Sequence, residues 1–235
     1  MALRQQWKMD PADMARLNRQ FGQIDYDDPN VHRPLDWRLP YPHAMYWAQR
    51  GLEHCTMSDF DYLRLRRLIY QSAMNMYRFG HLQLYMAAPP SRPERLEGQE
   101  VVDRPDKLSF QLQLYSSQDL RMFPSAHAAM ANMIQDYINA SGDPDDSYEV
   151  PYGAIDGLVT LTRNGVVSLY LAGHTRLANE YYQWIRMNFP QRGDYRVPLE
   201  TYVRNHLLME MSDVTPTFST SYINGMLRDA FYRYA

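Results

Sequence analysis

The sequence contains a single cysteine, Cys55, among 235 residues. One cysteine excludes an internal disulfide framework and is too few for a zinc site built from thiolates. Cys55 lies near the end of an amphipathic stretch, so we predict that it is a small buried hydrophobe. The cysteine content is compatible with an intracellular and with an exported protein, because an exported domain without disulfides would have the same composition.

Clusters of basic residues and long apolar runs are also missing. The chain has 24 lysines and arginines against 27 aspartates and glutamates, a formal charge of −3, and the basic residues are scattered. Nucleic acid is therefore not an expected partner, since no electrostatic footprint for a phosphate backbone is visible. No stretch approaches the roughly 20 apolar residues that cross a bilayer, and the N-terminus lacks the apolar core of a signal peptide. We predict a soluble chain without a membrane span.

What the sequence does contain favours helices. Hydrophobic residues make up 45% of the chain, which is enough for a real core. The 19 tyrosines and 15 methionines, with only 11 glycines, favour bulky helix packing over a glycine-rich loop scaffold.

Residues 1–40 are predicted to form an extended N-terminal arm with a short helix near residues 11–21, because prolines interrupt the rest. Helical spacing then begins at Pro42 and continues to Cys55. A capping-box pattern at Ser58 starts another helix, which ends near Gly80. These two helices should pack in antiparallel fashion. Their apolar stripes are Met45, Ala48, Leu52 and Cys55 on the first, and Leu65, Leu68, Ile69, Ser72, Met76 and Phe79 on the second.

The period of the pattern changes after Gly80. Apolar and polar residues largely alternate over 81–86 and 110–115, which is typical of half-buried strands, so we predict a small β-hairpin insertion around residues 81–115. The proline-rich, charged segment between the strands is an expected loop. A helix follows from Pro124 and ends at Gly142. Residues 41–142 thus hold a helix pair, a hairpin and a helix, and an acidic linker over 143–150 separates them from residues 151–235.

The segment 158–171 carries two opposing signals. The pair Asn164-Gly165 between β-branched runs is a strong local hairpin signal. Continued to residue 190, however, the segment resembles a tetratricopeptide repeat (TPR). The matching positions are Leu169, Gly173, Ala178, Tyr182 and Pro190. In such a repeat the glycine lets the chain turn between the two helices, and the alanine allows the helices to approach closely. The aromatic ring fills the groove between them, and the proline ends the second helix. We therefore predict a helix pair over 159–190.

The resemblance implies a mostly α fold of stacked antiparallel helix pairs, a TPR-like α-solenoid, over residues 151–235. Two more helices are predicted, one over 198–211 with Tyr202, Val203 and Leu207 as its apolar stripe, and one over 217–235. Solenoid ends normally carry a polar cap, and the last helix has no partner helix. We therefore expect a longer polypeptide, or a larger assembly in which another chain covers the C-terminal helix.

Two groups of residues are candidates for binding. The first lies in the densest aromatic segment and comprises Asp36, Trp37, Arg38, His43 and Trp47. A binding groove is one interpretation of this segment. The favoured one is a buried anchor that joins the N-terminal arm to the first helix pair, because aromatic residues at helical spacing are usually core. The second group lies on the best-matched repeat helix, where the resemblance implies contacts with a protein or peptide. Its members are Tyr181, Tyr182, Trp184 and Arg186.

The sequence contains only weak patterns of the residues that bind metals or catalyse reactions. His43 and His54 lie about 16 Å apart on a helix and cannot share a metal. Asp59 and Asp61 are explained as charges at a helix start. The sequence has no nucleophile elbow and no phosphate-cradling glycine loop.

A calcium loop is also disfavoured. Asp143, Asp145, Ser147 and Glu149 alternate like the opening of such a loop. The sixth position is Tyr148 rather than glycine, and the twelfth is Ala154 rather than glutamate, so a solvated linker is the better interpretation.

The sequence therefore predicts a non-catalytic scaffold or protein-interaction module without metal or cofactor. The alternative is a helical enzyme or ligand-binding protein with a pocket near Trp37, Arg38 and His43.

Overall fold

A computed structural model of the chain describes residues 5–26, 28, 31–56, 60–87, 111–140, 153–191 and 193–212. The described part is mostly helical. Its helices are α1 (Pro11–Phe21), α2 (Pro40–Leu52), α3 (Phe60–Phe79), α4 (Phe123–Ala140), α5 (Ala154–Leu171), α6 (Thr175–Asn188) and α7 (Leu199–Ser212). Its strands are β1 (Gln23–Ile24), β2 (His32–Arg33), β3 (His81–Ala87) and β4 (Gln111–Ser117), and short 3₁₀ turns cover Leu120–Met122 and Gly193–Arg196. Among these helices, none combines the length and the apolar character that a membrane crossing requires.

The chain divides into two compact units, Met1–Ile155 (unit 1) and Asp156–Ala235 (unit 2). Several predicted features lie outside the described residues. They are the capping box at Ser58 and Asp59, the loop between the two long strands, the helix end at Gly142, the acidic linker over 143–150 and the last helix over 217–235.

The predicted short helix is confirmed, since α1 spans Pro11–Phe21. The Asp10 carboxylate accepts a hydrogen bond from the Ala12 amide at 2.8 Å, and Pro11 occupies the first turn, where its missing N–H is not needed. Leu17 and Phe21 point into the core. The extended segment after α1 forms the small antiparallel pair β1–β2, in which Ile24 lies opposite His32.

Helix α2 begins at Pro40, slightly earlier than predicted, and ends at Leu52. Beyond it the Glu53 and His54 amides donate to the carbonyls three residues back, at 3.2 and 3.0 Å, which turns the chain out of the helix. Cys55 therefore lies outside the helix and is half-buried, so its predicted place in the buried stripe is wrong.

Helix α3 packs against both α2 and α4. Its buried face is centred on Ile69, Ala73 and Met76, whereas Leu68 and Phe79 lie at the edge of that face and are exposed. The prediction that those two side chains are buried is wrong, because the buried face is centred on Ile69, Ala73 and Met76 and leaves them at its edge. The ribbon that follows confirms the predicted hairpin, since β3 and β4 pair in antiparallel fashion with His81 opposite Ser117.

Asp119 connects distant parts of unit 1. It is 3% exposed, and its carboxylate accepts hydrogen bonds from Gln23 Nε2 at 2.7 Å and from Arg121 Nε at 2.9 Å. Its amide donates to the Tyr77 carbonyl at 2.8 Å. The hydrogen bond with Asp119 raises the pKa of Arg121 above its ordinary value. A buried carboxylate is stable in a core only with such partners, and here they connect β1, α3 and the 3₁₀ turn that precedes α4.

Residues 154–171 form one helix, α5, through Asn164-Gly165, which confirms the helical prediction over the hairpin. The turn that follows is a Schellman motif. The Gly173 amide donates to the Tyr170 carbonyl and the His174 amide to the Leu169 carbonyl, at 3.0 and 2.9 Å. Gly173 has φ +84°, a conformation that residues with a Cβ rarely adopt.

Tyr182 lies at the centre of the unit 2 core. Its hydroxyl donates to the Val197 carbonyl at 2.7 Å, and its ring centroid lies 5.0 Å from that of Tyr202. The buried residues around it come from α5, α6, α7 and the turn between α6 and α7. They are Val159, Val166, Val167, Ile185, Tyr195, Tyr202 and Val203.

Candidate binding surface around Trp47

Asp36, Trp37 and Arg38 lie in the turn that precedes α2, and the two charged residues pair with each other. The Asp36 carboxylate accepts hydrogen bonds from the Arg38 amide at 3.1 Å, from Nε at 2.8 Å and from Nη2 at 2.6 Å. The side-chain hydrogen bond from Arg38 holds the pKa of Asp36 below its ordinary value. Both residues thus stabilise the turn.

Trp37 and His43 join this turn to the helices around it. Trp37 Nε1 donates to Asn18 Oδ1 at 3.1 Å, and the same oxygen accepts from the Leu35 amide at 3.1 Å. His43 Nε2 lies 2.9 Å from the Trp37 carbonyl oxygen, to which the Nε2–H tautomer donates. Asn18 belongs to α1 and His43 to α2, so these contacts fix the entry into α2 against α1.

An aromatic surface is formed by Trp7, His43 and Trp47. The Trp7 ring centroid lies 5.2 Å from that of His43, and His43 and Trp47 are four residues apart on α2 and therefore share a face. Trp7 is 56% exposed and Trp47 is 49% exposed. Sequence reasoning missed Trp7, because it stands in a polar stretch without a periodic pattern.

A cleft of about 290 Å³ borders Trp47. Its lining residues are Lys8, Met9, Asp10, Asp13, Tyr46, Trp47 and Arg50. Met9 and Tyr46 are almost fully buried, and the Tyr46 hydroxyl accepts a hydrogen bond from the Asp10 amide at 2.8 Å. Asp36, Arg38 and His43 do not belong to this lining, so the structure does not bring those three side chains together at the cleft.

The charges along one side of the cleft form a closed network. Arg16 lies 3.2 Å from Asp13 and 2.8 Å from Glu53, and Arg50 lies 3.4 Å from Asp13 and 2.8 Å from Glu53. Two cations therefore balance two anions. Lys8, in contrast, forms no ion pair within the described part of the chain, and it has the left-handed φ of +56°.

Most side chains of the second predicted group, on α6, pack in or against the core of unit 2. Tyr181 and Trp184 are partly buried against the unit 2 core, and burial raises the pKa of Tyr181 above its ordinary value. The Trp184 ring lies 6.0 Å from that of Phe189. Arg186 is exposed, with its guanidinium 5.9 Å from the centroid of the Tyr182 ring. The two predicted groups belong to different units, and the exposed aromatic residue among their members is Trp47, at 49%.

The polar residues that were weighed for chemistry are dispersed. His54 lies in the turn after α2, and Asp61 is an exposed residue 3.6 Å from Arg64. Asp59 and the calcium-like positions Asp143 to Glu149 lie outside the described residues. Over the ranges that are described, no three or more His, Cys, Asp or Glu side chains are grouped to hold a metal ion.

Comparisons of the chain with protein-family models, with curated proteins and with solved structures find no match.

Proposed function

We propose that the protein is a non-catalytic interaction module that binds a protein or peptide partner through the aromatic surface of unit 1. The observation that carries this proposal is the pair of half-exposed tryptophans: Trp7, whose ring contacts His43, and Trp47, which lies four residues after His43 on α2 and lines a cleft. Tryptophan contributes a large contact area with little conformational freedom to lose, and it is enriched among residues that dominate binding energy.

The surroundings of the aromatic surface have the composition of an interface. Single exposed apolar residues are ordinary on soluble proteins and need no explanation. Here Trp7 contacts His43, and Trp47 lies one turn further along the same face of α2. The charged residues Lys8, Asp13 and Arg50 line the cleft beside Trp47. An apolar centre with a polar rim is the usual arrangement at a protein–protein contact.

A scaffold role also agrees with the helix pair of unit 2, for which we propose a TPR-like repeat. Two observations support the proposal. The chain turns between α5 and α6 at Gly173, and the fully buried Ala178 and Tyr182 lie where small and aromatic residues let two helices approach. The stacking of further helix pairs into a solenoid is part of the same proposal.

The alternative of an enzyme or ligand-binding protein with a pocket near Trp37, Arg38 and His43 has less support. Arg38 is bound by Asp36, and His43 by the Trp37 carbonyl. These polar groups satisfy one another and do not converge on a shared cavity.

The proposal is tested by affinity capture from the native cell extract with the wild-type chain and the double variant Trp7→Ala/Trp47→Ala. We expect the partner recovered by the wild type to be reduced at least tenfold with the double variant, because truncating a residue at a binding centre costs more than about 1.4 kcal/mol.

Met187→Ala is the matched control. Met187 is 72% exposed on α6, so its truncation removes a large apolar side chain from the other unit. Melting curves must show that all variants are folded. Equal recovery with the wild type and the double variant would refute the proposal, as would an equal loss with Met187→Ala.

A further inference from the structure

We draw no further inference here: the strongest candidate, the side-chain cluster between α5 and α7 in which Arg163 Nη2 lies 3.4 Å from His206 Nδ1 and the His206 ring stacks on that of Tyr202, carries nothing, because the Tyr202 hydroxyl is closed off from solvent and nothing in the described part of the chain shows which ligand the cluster would hold.

Discussion

Tyr182→Ala is expected to destabilise unit 2 by about 3–5 kcal/mol, as for large-to-small changes in a packed core. The side chain is 1% exposed, and its ring packs against Tyr202 while its hydroxyl donates to the Val197 carbonyl. Truncation therefore leaves a cavity between α6 and α7 and removes a partner of the backbone that connects them. Urea unfolding followed by circular dichroism measures the loss as a shift of the unit 2 transition to lower urea.

Tyr182→Phe separates the ring from the hydroxyl. It keeps the packing and removes one hydrogen bond, so we expect a loss of about 1 kcal/mol. If the alanine variant were no less stable than the phenylalanine variant, the ring would not be a central element of the core. The proposal for the α5–α6 repeat would then lose its main packing argument.

Acidification is expected to destabilise unit 1 through His127. Burial lowers the pKa of His127 to about 4, whereas an exposed histidine titrates near 6.5. The folded state therefore keeps this side chain neutral at a pH where the unfolded chain has already taken up a proton. The stability that the neutral form contributes is complete above about pH 6.5 and is lost as the pH falls through 6.5 to about 4. A pKa difference of this size corresponds to about 3 kcal/mol.

The measurement is the free energy of unfolding of the wild type and of His127→Leu between pH 7 and pH 4. Leucine fills a similar volume on the inner side of α4, next to Phe123, and does not titrate. The stability of the variant should depend less on pH in this range. A His127 proton resonance that titrates with a midpoint near 6.5 would contradict the prediction.

Much of the fold was predictable because its signals are local. The spacing of apolar residues in α3 and α4 reflects a buried face of each helix, and the alternation over 81–86 and 110–115 predicted the strands β3 and β4. The segment 158–171 shows where a local signal is overruled. Asn164-Gly165 favours a hairpin, but Val159 and Val166 are buried together with Tyr182, and that packing requires a helix.

The remaining features depend on contacts between residues far apart in the sequence. Nothing near Asp119 indicates that Gln23 will reach it. The contact of Trp7 with His43 and the cleft between Lys8 and Trp47 likewise depend on the segment before α1 lying near α2. That segment carries no periodic pattern from which these contacts follow. Trp47 was named from the sequence as part of an aromatic segment, but only the structure distinguishes its exposed ring from the hydrogen-bonded Trp37.

The most direct test of the interaction surface replaces Trp47 with photo-reactive benzoylphenylalanine and, in a separate variant, places the same group at Met187. Both sites are exposed, and the aromatic replacement keeps a ring at position 47. After irradiation in native cell extract, the probe at position 47 should form a defined adduct with one partner that the probe at position 187 does not form. No adduct at position 47, or the same set of adducts at both positions, would contradict a binding surface around Trp47.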